Sequence, residues 1–565
     1  MKRKILYILL LTAAIIFAAM YLLNNFYFLS KAANVYHQVP RLIVLTSDEV
    51  IDYGDDMKTV EIIGEHGEIY VLLDILRDGL GVWTDYDEEN RMAVITTKND
   101  VIRFYGLENA VKLNTTLIKD ISPMIYVEDK PFIPISQLTE RLGIESQWIQ
   151  ENNTVVLKSL YGNRTAAKAV KSDVRARMEE SIWSEVIDII SSGETLEILE
   201  EAEKWTKILT ESGQIAYVPS KTIGEIEKIE GVKQQDDSPV WMPETEKILL
   251  TWEHVHSRNP DTSQIGEMKG LNVISPTWMS LTDASGTVKH KISTDYIGWA
   301  KNEEYKIWPL FNNSFDPDLT HQFLQDAAAR EKAINRVLTL VKQYNMDGIN
   351  IDFENVYLKD KERLVQFVRE LVPVFHEKGL TVSIDVTVKS MTENWSLCYD
   401  RAALGEVVDY MAVMTYDEHW SSSPISGSVA SIGWVENGLQ GILEEVPPEK
   451  ILLGIPFYTR IWTETPSQAE AGAVDVKSKA AGMQTINDLL KEQKIEKIWD
   501  EAAGQYYASY TKDGKTHKIW IEDAKSIELK AKLIEKYNLA GAASWRRGFE
   551  TPDIWDVLEP MMNTR

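Results

Sequence analysis

MDGINIDFENV, residues 346–356, is the stretch that decides how the rest of the chain reads. Side chains alternate across a strand, so Asn350, Asp352 and Glu354 point one way and Ile349, Ile351 and Phe353 the other. A strand this apolar belongs in a parallel sheet covered on both faces. Three polar groups on its inner face are costly unless they are hydrogen-bonded and useful. Asp347 falls out of phase and is expected to shape the strand entry. Two carboxylates on one face raise each other's pKa, and burial raises both. One of them then stays protonated near neutral pH and can act as a general acid. The same spacing also suits a metal site or a structural polar ladder, and alternation does not choose among the three.

Working outward, short apolar strands alternate with amphipathic helices on both sides of this segment, which is the pattern of βα units. Eight strand candidates follow one another: KILLTW (247–252), LNVISP (271–276), KIWPLF (306–311), GINIDFE (348–354), TVSIDV (381–386), YMAVMTY (410–416), ILLGIPF (451–457) and GAASW (541–545). Eight units in about 300 residues predict an α/β fold, a closed (β/α)8 barrel over 245–565, with polar residues near the strand C-termini where barrel active sites lie. The long gap before the last strand holds ASYTKDGKTHKIWIED (508–523), hairpin-like around Asp513-Gly514. It predicts a small α+β insertion at about 463–535 that walls a groove.

DGINIDFE resembles the D-x-x-D-x-D-x-E signature of glycoside hydrolase family 18, the chitinase-like retaining barrels. Asp347, Asp352 and Glu354 match it, and Asn350 stands where the family usually has Asp. Three further segments agree in order: MTYDEHW (414–420) with the family's Met-x-Tyr-Asp, GIPFYTRIW (454–462) with its Gly-x-Pro-Tyr-x-Arg, and Ser544-Trp545 with its floor tryptophan. The family departs from the two-carboxylate rule, because the substrate supplies its own nucleophile. The resemblance implies that Glu354 protonates the glycosidic oxygen and later deprotonates water, while the carbonyl oxygen of the substrate's N-acetyl group attacks the anomeric carbon. It implies that Asp352 receives the acetamido N–H, Tyr416 donates to the same group, and Trp545 floors the distorted sugar. Met414, Tyr458, Asp417 and Arg460 come over as substrate-binding residues, with an ordinary ion pair as the alternative for the last two.

Asn350 cannot carry charge, so Asp352 is expected to ionise more readily, with Asn350 hydrogen-bonding Asp352 and fixing its rotamer. Cell-wall and spore-cortex glucosaminidases of the family also look like DG-x-N-x-D-x-E, which points to peptidoglycan as the N-acetylglucosamine-containing partner. The alternatives are chitin oligomers or another N-acetylated polysaccharide, and a carbohydrate-binding barrel without turnover. Retention of Glu354, Asp352 and Tyr416 together speaks for turnover. Trp252, Trp278, Trp308, Trp420 and Trp434 fall near expected strand ends, where they either stack on sugars or pack the rim. Trp252 is taken as substrate-binding. His254 and His256 line the groove in this reading; a zinc pair there lacks further ligands.

The whole chain has 565 residues, too many for one core, and a formal charge of −26. That balance argues against a nucleic-acid partner. The one cysteine, Cys398, excludes an intrachain disulfide and reads as a small apolar core residue. Met1-Lys2-Arg3-Lys4 followed by an apolar run from Ile5 to Leu23 predicts a signal anchor over 1–30, with the remainder outside the cell membrane. Cleavage and secretion is the alternative. Residues 38–160 carry a repeat at an offset of 62, IYVLLDILRDGLGVWTDYDEENRMAVITT (69–97) against PFIPISQLTERLGIESQWIQENNTVVLKS (131–159). Each copy reads strand, Leu-Gly-capped helix, hairpin. The duplication resembles the copper-amine-oxidase-N-terminal-like domain of bacterial envelope proteins. No cluster of His or Cys accompanies it, so no metal or other cofactor is expected. WTKILTESGQIAYVPSKTI (205–223), within a β-rich stretch at 168–228, resembles a bacterial Src-homology-3-like small β barrel. That domain either contacts wall peptide or acts as a spacer. A linker at 234–247 follows, and the protein is expected to be a monomer.

Overall fold

The structure is a computed structural model that describes residues 7, 10–21, 36–55, 58–64, 67–231, 247–466 and 474–562. The expected anchor at 1–30 and linker at 234–247 lie largely outside these. Residues 10–21 are helical, and among the described residues no helix is long and apolar enough to cross a membrane. The chain forms two compact units, the second made of residues 86–92, 98–101 and the chain from 238 onward.

In the first unit the two sequence repeats meet through their strands. Glu68–Leu72 and Lys130–Pro134 pair antiparallel, with Val71 opposite Ile133, its own counterpart in the repeat. The second copy's helix ends at Gly143, whose φ of 59° needs the left-handed region that glycine tolerates. Seven antiparallel strands between Arg164 and Ile229 form one sheet around Val174, Ala176, Ile190, Leu196, Ile208 and Val218.

The second unit is the barrel. Its strands are β1 (Ile248–Glu253), β2 (Val273–Pro276), β3 (Lys306–Ile307 and Leu310–Asn312), β4 (Gly348–Asp352), β5 (Thr381–Thr387), β6 (Tyr410–Met414), β7 (Ile451–Pro456) and β8 (Gly541–Trp545). Each pairs parallel with the next, and β8 closes on β1 with Gly541 beside Ile248. All eight expected strands are present. β3 is broken at Trp308-Pro309, because proline has no N–H for the ladder; its first half serves β2 and its second half β4. β8 fits only with glycine at its start: a Cβ on Gly541 would stand 1.8 Å from the carbonyl oxygen of Ile248. β4 ends at Asp352, so Glu354 sits two residues beyond the strand and not within it.

The interior is layered. Ile248, Leu250, Val273, Trp308, Leu310, Tyr410, Leu452 and Ala543 fill it with apolar atoms, Trp308 stacking on Tyr410 at 5.6 Å. Nearer the strand C-termini the buried residues turn polar: Thr251, Ser275, Asn350, Asp352, Ser383, Asp385 and Ser544. The outer face of β4 behaves as alternation requires. Phe353 is fully buried against Phe311, Phe323 and Phe367, with Phe323 on the helix Pro317–Gln325 and Phe367 on the helix Lys361–His376. Asp347 accepts a hydrogen bond from the Ile307 N–H at 2.8 Å and so ties β4's entry to β3.

The insertion expected at about 463–535 occupies a different span. Five antiparallel strands run from Tyr458 to Ile521, with the helix Met483–Gln493 on their sheet. The helix Ala524–Lys536 returns to the barrel, beside β7 and β8. Cys398 is buried, its Sγ donating to the Asn394 carbonyl at 3.2 Å, and burial pushes its thiol up to about 11.

Truncating Phe353 to alanine removes the ring that locks β4 to its two covering helices. Such a cavity costs about 3–5 kcal/mol. Denaturant unfolding followed by tryptophan fluorescence is expected to show a loss of that size in the barrel's transition.

Candidate active site

Glu354 is held by side chains in place of a ladder. The Asn313 amide grips its backbone from both sides, accepting from the Glu354 N–H at 3.2 Å and donating to the Glu354 carbonyl at 2.7 Å. Asn313 is fully buried and donates also to Thr320. The Tyr399 hydroxyl donates to the Phe353 carbonyl at 2.9 Å. On the other side Asn355 takes a φ of 53° and bonds to the Phe315 carbonyl and to Asn394. The acid is thereby fixed just past the strand end, where a barrel presents reacting groups.

Below it, Asn350 makes four hydrogen bonds. Its Oδ1 accepts from the Trp252 indole at 2.8 Å and from Ser275 Oγ at 3.3 Å; its Nδ2 donates to Ser383 Oγ at 3.0 Å and Asp385 Oδ1 at 2.7 Å. An indole N–H only donates, so it fixes which end of the amide faces which strand. This corrects two expectations. Asn350 does not bond Asp352, because its donors are already committed to β5. Nor is Asp352 relieved of a like charge, because Asp385 supplies one. Trp252, taken from sequence as a sugar-binding residue, is 1% exposed and is an interior donor to Asn350.

Burial pushes Asp352 well above the usual carboxylate range, and the Asp385 charge adds to it. Asp385 is raised for the same first reason, opposed by the Asn350 hydrogen bond, with the Glu354 charge adding and the Trp252 indole opposing in turn. Burial also lifts Glu354 well above its ordinary value, helped by Asp352 and then Asp417. A carboxyl so placed holds its proton to higher pH than a free one, the direction a general acid requires. Tyr416, beyond β6, is raised by burial and then by Asp385, so it remains a hydroxyl donor.

Trp545 closes β8, partly exposed, its ring 6.0 Å from those of Trp252 and of His254. Met414, 9% exposed, ends β6. Asp417 Oδ1 accepts from both Arg460 Nη2 at 2.9 Å and the Tyr458 hydroxyl at 2.6 Å, so the ion-pair alternative for Asp417 and Arg460 is realised. The remaining Asp417 edge is open, its side chain 43% exposed. Trp278 and Trp308 are buried, Trp434 lies on the helix Ile432–Leu443, and Trp420 is exposed beyond β6. Three contributors were absent from the sequence reading: Asp385, Asn313 and Tyr399. Asp385 had a signal, since in TVSIDV it shares the inward phase of Ser383. Asn313 and Tyr399 had none, because they act on backbone through loops.

Comparison with known proteins agrees with this geometry. Residues 274–550 match the family described as glycosyl hydrolases family 18. Residues 53–193 match the copper amine oxidase N-terminal domain, running past the end of the sequence repeat. Over 293 residues the chain is 28% identical to the uncharacterized glycosylase YvbX of Bacillus subtilis (strain 168), covering 49% of this chain and 80% of that protein. It is 30% identical over 261 residues to the cortical fragment-lytic enzyme of the same organism, covering 46% of this chain and 59% of the relative. The crystal structure of the C-terminal domain of a putative chitinase from Desulfitobacterium hafniense DCB-2 aligns with a TM-score of 0.50 at 27% identity, covering 56% of this chain and 99% of that one.

Glu354 has a consequence for stability. Its folded pKa lies above the unfolded one, so the unfolded state ionises first as pH rises, and stability present at acid pH is lost on the way up through the folded value. Glu354→Gln escapes that loss. Thermal melts from pH 4 to 8 are expected to match wild type at the acid end, with the variant becoming the more stable as pH rises.

Proposed function

Residues 274–550 are a glycosyl hydrolases family 18 domain, and on that premise we propose that the protein is a retaining, substrate-assisted N-acetylglucosaminidase acting on bacterial peptidoglycan. The observation that carries this reading is Glu354, a carboxyl whose proton affinity is raised by burial at the exit of β4 and which is clamped there through its backbone. Glu354 gives its proton to the glycosidic oxygen as the carbonyl oxygen of the substrate's own acetamido group closes on the anomeric carbon. Asp352 takes the acetamido N–H and stabilises the positive ring that forms. Tyr416 donates to the same group, and Trp545 lies under the sugar. Water then attacks the anomeric carbon from the side the leaving group vacated, returning its proton to Glu354. Two inversions give net retention.

Peptidoglycan is favoured by two observations. Asn350 gives the DG-x-N-x-D-x-E form that resembles cortex and wall enzymes, and the cortical fragment-lytic enzyme is a relative at 30% identity. Likeness to a putative chitinase at 27% identity supports a second reading, hydrolysis of chitin oligomers. The basic cluster and apolar run before residue 24 support an anchor that keeps the barrel on the outer side of the membrane. The duplicated module and the β-rich module at 168–228 then act as spacers or wall contacts.

The test is digestion of purified sacculi and of chitin oligomers, with fragments read by mass spectrometry. New reducing N-acetylglucosamine ends from sacculi are expected, with Glu354→Gln at least 100-fold slower, the scale of general-acid catalysis, about 10²–10⁴-fold. Turnover of chitin oligomers alone would move the substrate to chitin. Sacculi stripped of N-acetyl groups are expected to be inert, and their cleavage at wild-type rate would exclude the substrate-assisted route.

A further inference from the structure

Asp385 is a fully enclosed carboxyl, 2% exposed, that the reaction as written leaves unused. β4 and β5 run in register, Asn350 beside Ser383 and Ile351 beside Ile384, which brings Asp352 alongside Asp385. The charged and titratable groups that act on Asp385 or feel its charge are Asp352 and Glu354 from β4 and its exit and Tyr416 from the exit of β6, with the Asn350 amide and the Trp252 indole as the donors that oppose its rise. Among the described residues no lysine or arginine forms an ion pair with it. Asn350 occupies only Oδ1 of Asp385. The amide cannot turn away, because the Trp252 indole holds its other end.

We infer that Asp385 is a positioning residue of the proposed hydrolysis: it carries on β5 the buried carboxylate that β4 lacks at Asn350, and shares a single proton with Asp352. Two buried carboxylates facing inward from adjacent, in-register strands do not both ionise. The pair keeps one proton throughout. While the site is at rest the proton lies on either partner. When Glu354 releases its own proton to the leaving oxygen, the pair's proton settles on Asp385 and leaves Asp352 anionic beneath the forming oxazolinium. When water attacks, its proton returns to Glu354, and no further co-reactant is required. The inference rests on the hydrolase reading for its catalytic part and on the carboxyl geometry alone for its proton.

Asp385→Asn keeps an oxygen for the Asn350 amide and removes the charge and the titratable proton, with an amide NH2 in place of the second oxygen. The full chain with this change is expected to turn over sacculi about tenfold more slowly with KM little altered, and its alkaline limb in kcat/KM is expected to move about one unit toward alkali, because the pair's single negative charge can no longer divide and rests wholly on Asp352, the charge that raises Glu354. The exchange Asn350→Asp with Asp385→Asn returns the carboxylate to β4, where the Trp252 indole and the new amide both donate to it. That double variant is expected to regain the wild-type limb and most of the rate. If Asp385→Asn folds and its pH profile lies on the wild-type one, or if the exchange folds and stays displaced, Asp385 has no such role. A readout free of turnover separates this from failure of the hydrolase reading. In a Glu354→Gln background, infrared difference spectra at pH 7 are expected to show a protonated-carboxyl band that disappears on adding Asp385→Asn. An unchanged band overturns the shared proton even if sacculi are cut; a lost band with no turnover of any glycan keeps the pair and removes the hydrolase.

Discussion

Asn350 is the tie on which the upper half of the barrel depends. Its four hydrogen bonds run to β1 through Trp252, to β2 through Ser275 and to β5 through Ser383 and Asp385. Buried polar groups in a dry interior cost several times what a satisfied bond returns if any partner is missing. Every member of this set therefore constrains the others. The indole N–H fixes the amide, the amide fixes Asp385, and Asp385 sets the charge that Asp352 must live beside. An apolar residue at 350 would remove the amide that the Trp252 indole, Ser275, Ser383 and Asp385 all bond to.

Much of this was legible because strand alternation is a strong signal. The eight strands stand where apolar runs and βα rhythm put them, and Phe353 faces outward as its phase demands. The division of labour inside the barrel was harder to read. Trp252 looked like a sugar platform because tryptophan near a strand end often is one. Its phase on β1 turns it into the barrel, where its one donor is needed. Asn350 looked like a partner for Asp352 because the two share a strand. Inside a closed barrel the nearer neighbours of an inward group sit on other strands, here β1, β2 and β5, and strand-by-strand reading does not see them. Asp385 is legible by the same alternation rule, in the inward phase of Ser383, but a single acidic residue on that strand gives a weaker signal than the three polar groups of the β4 segment.

The site residues also divide by how they are held. Asp352, Asp385 and Asn350 lie on the ladder and move only if the barrel does. Tyr416, Asp417 and Trp545 sit at strand exits. Asp417 takes a φ of 61° and is tied to Tyr458 and Arg460 at the root of the inserted sheet. One Asp417 oxygen, already accepting two bonds, thus ties the root of the insertion to the groove. Only its partner oxygen is free for a ligand.

The clamp of Asn313 on the Glu354 backbone has a consequence for portability. The acid belongs to β4 in sequence, yet its position is owned by the turn after β3, since both amide ends of Asn313 close on Glu354. Transplanting the β4 segment into another barrel would carry the proton donor without its mooring. The inheritable unit of this chemistry is two neighbouring strands with their exits, and the turn after β3 is as much a part of the acid as the glutamate itself.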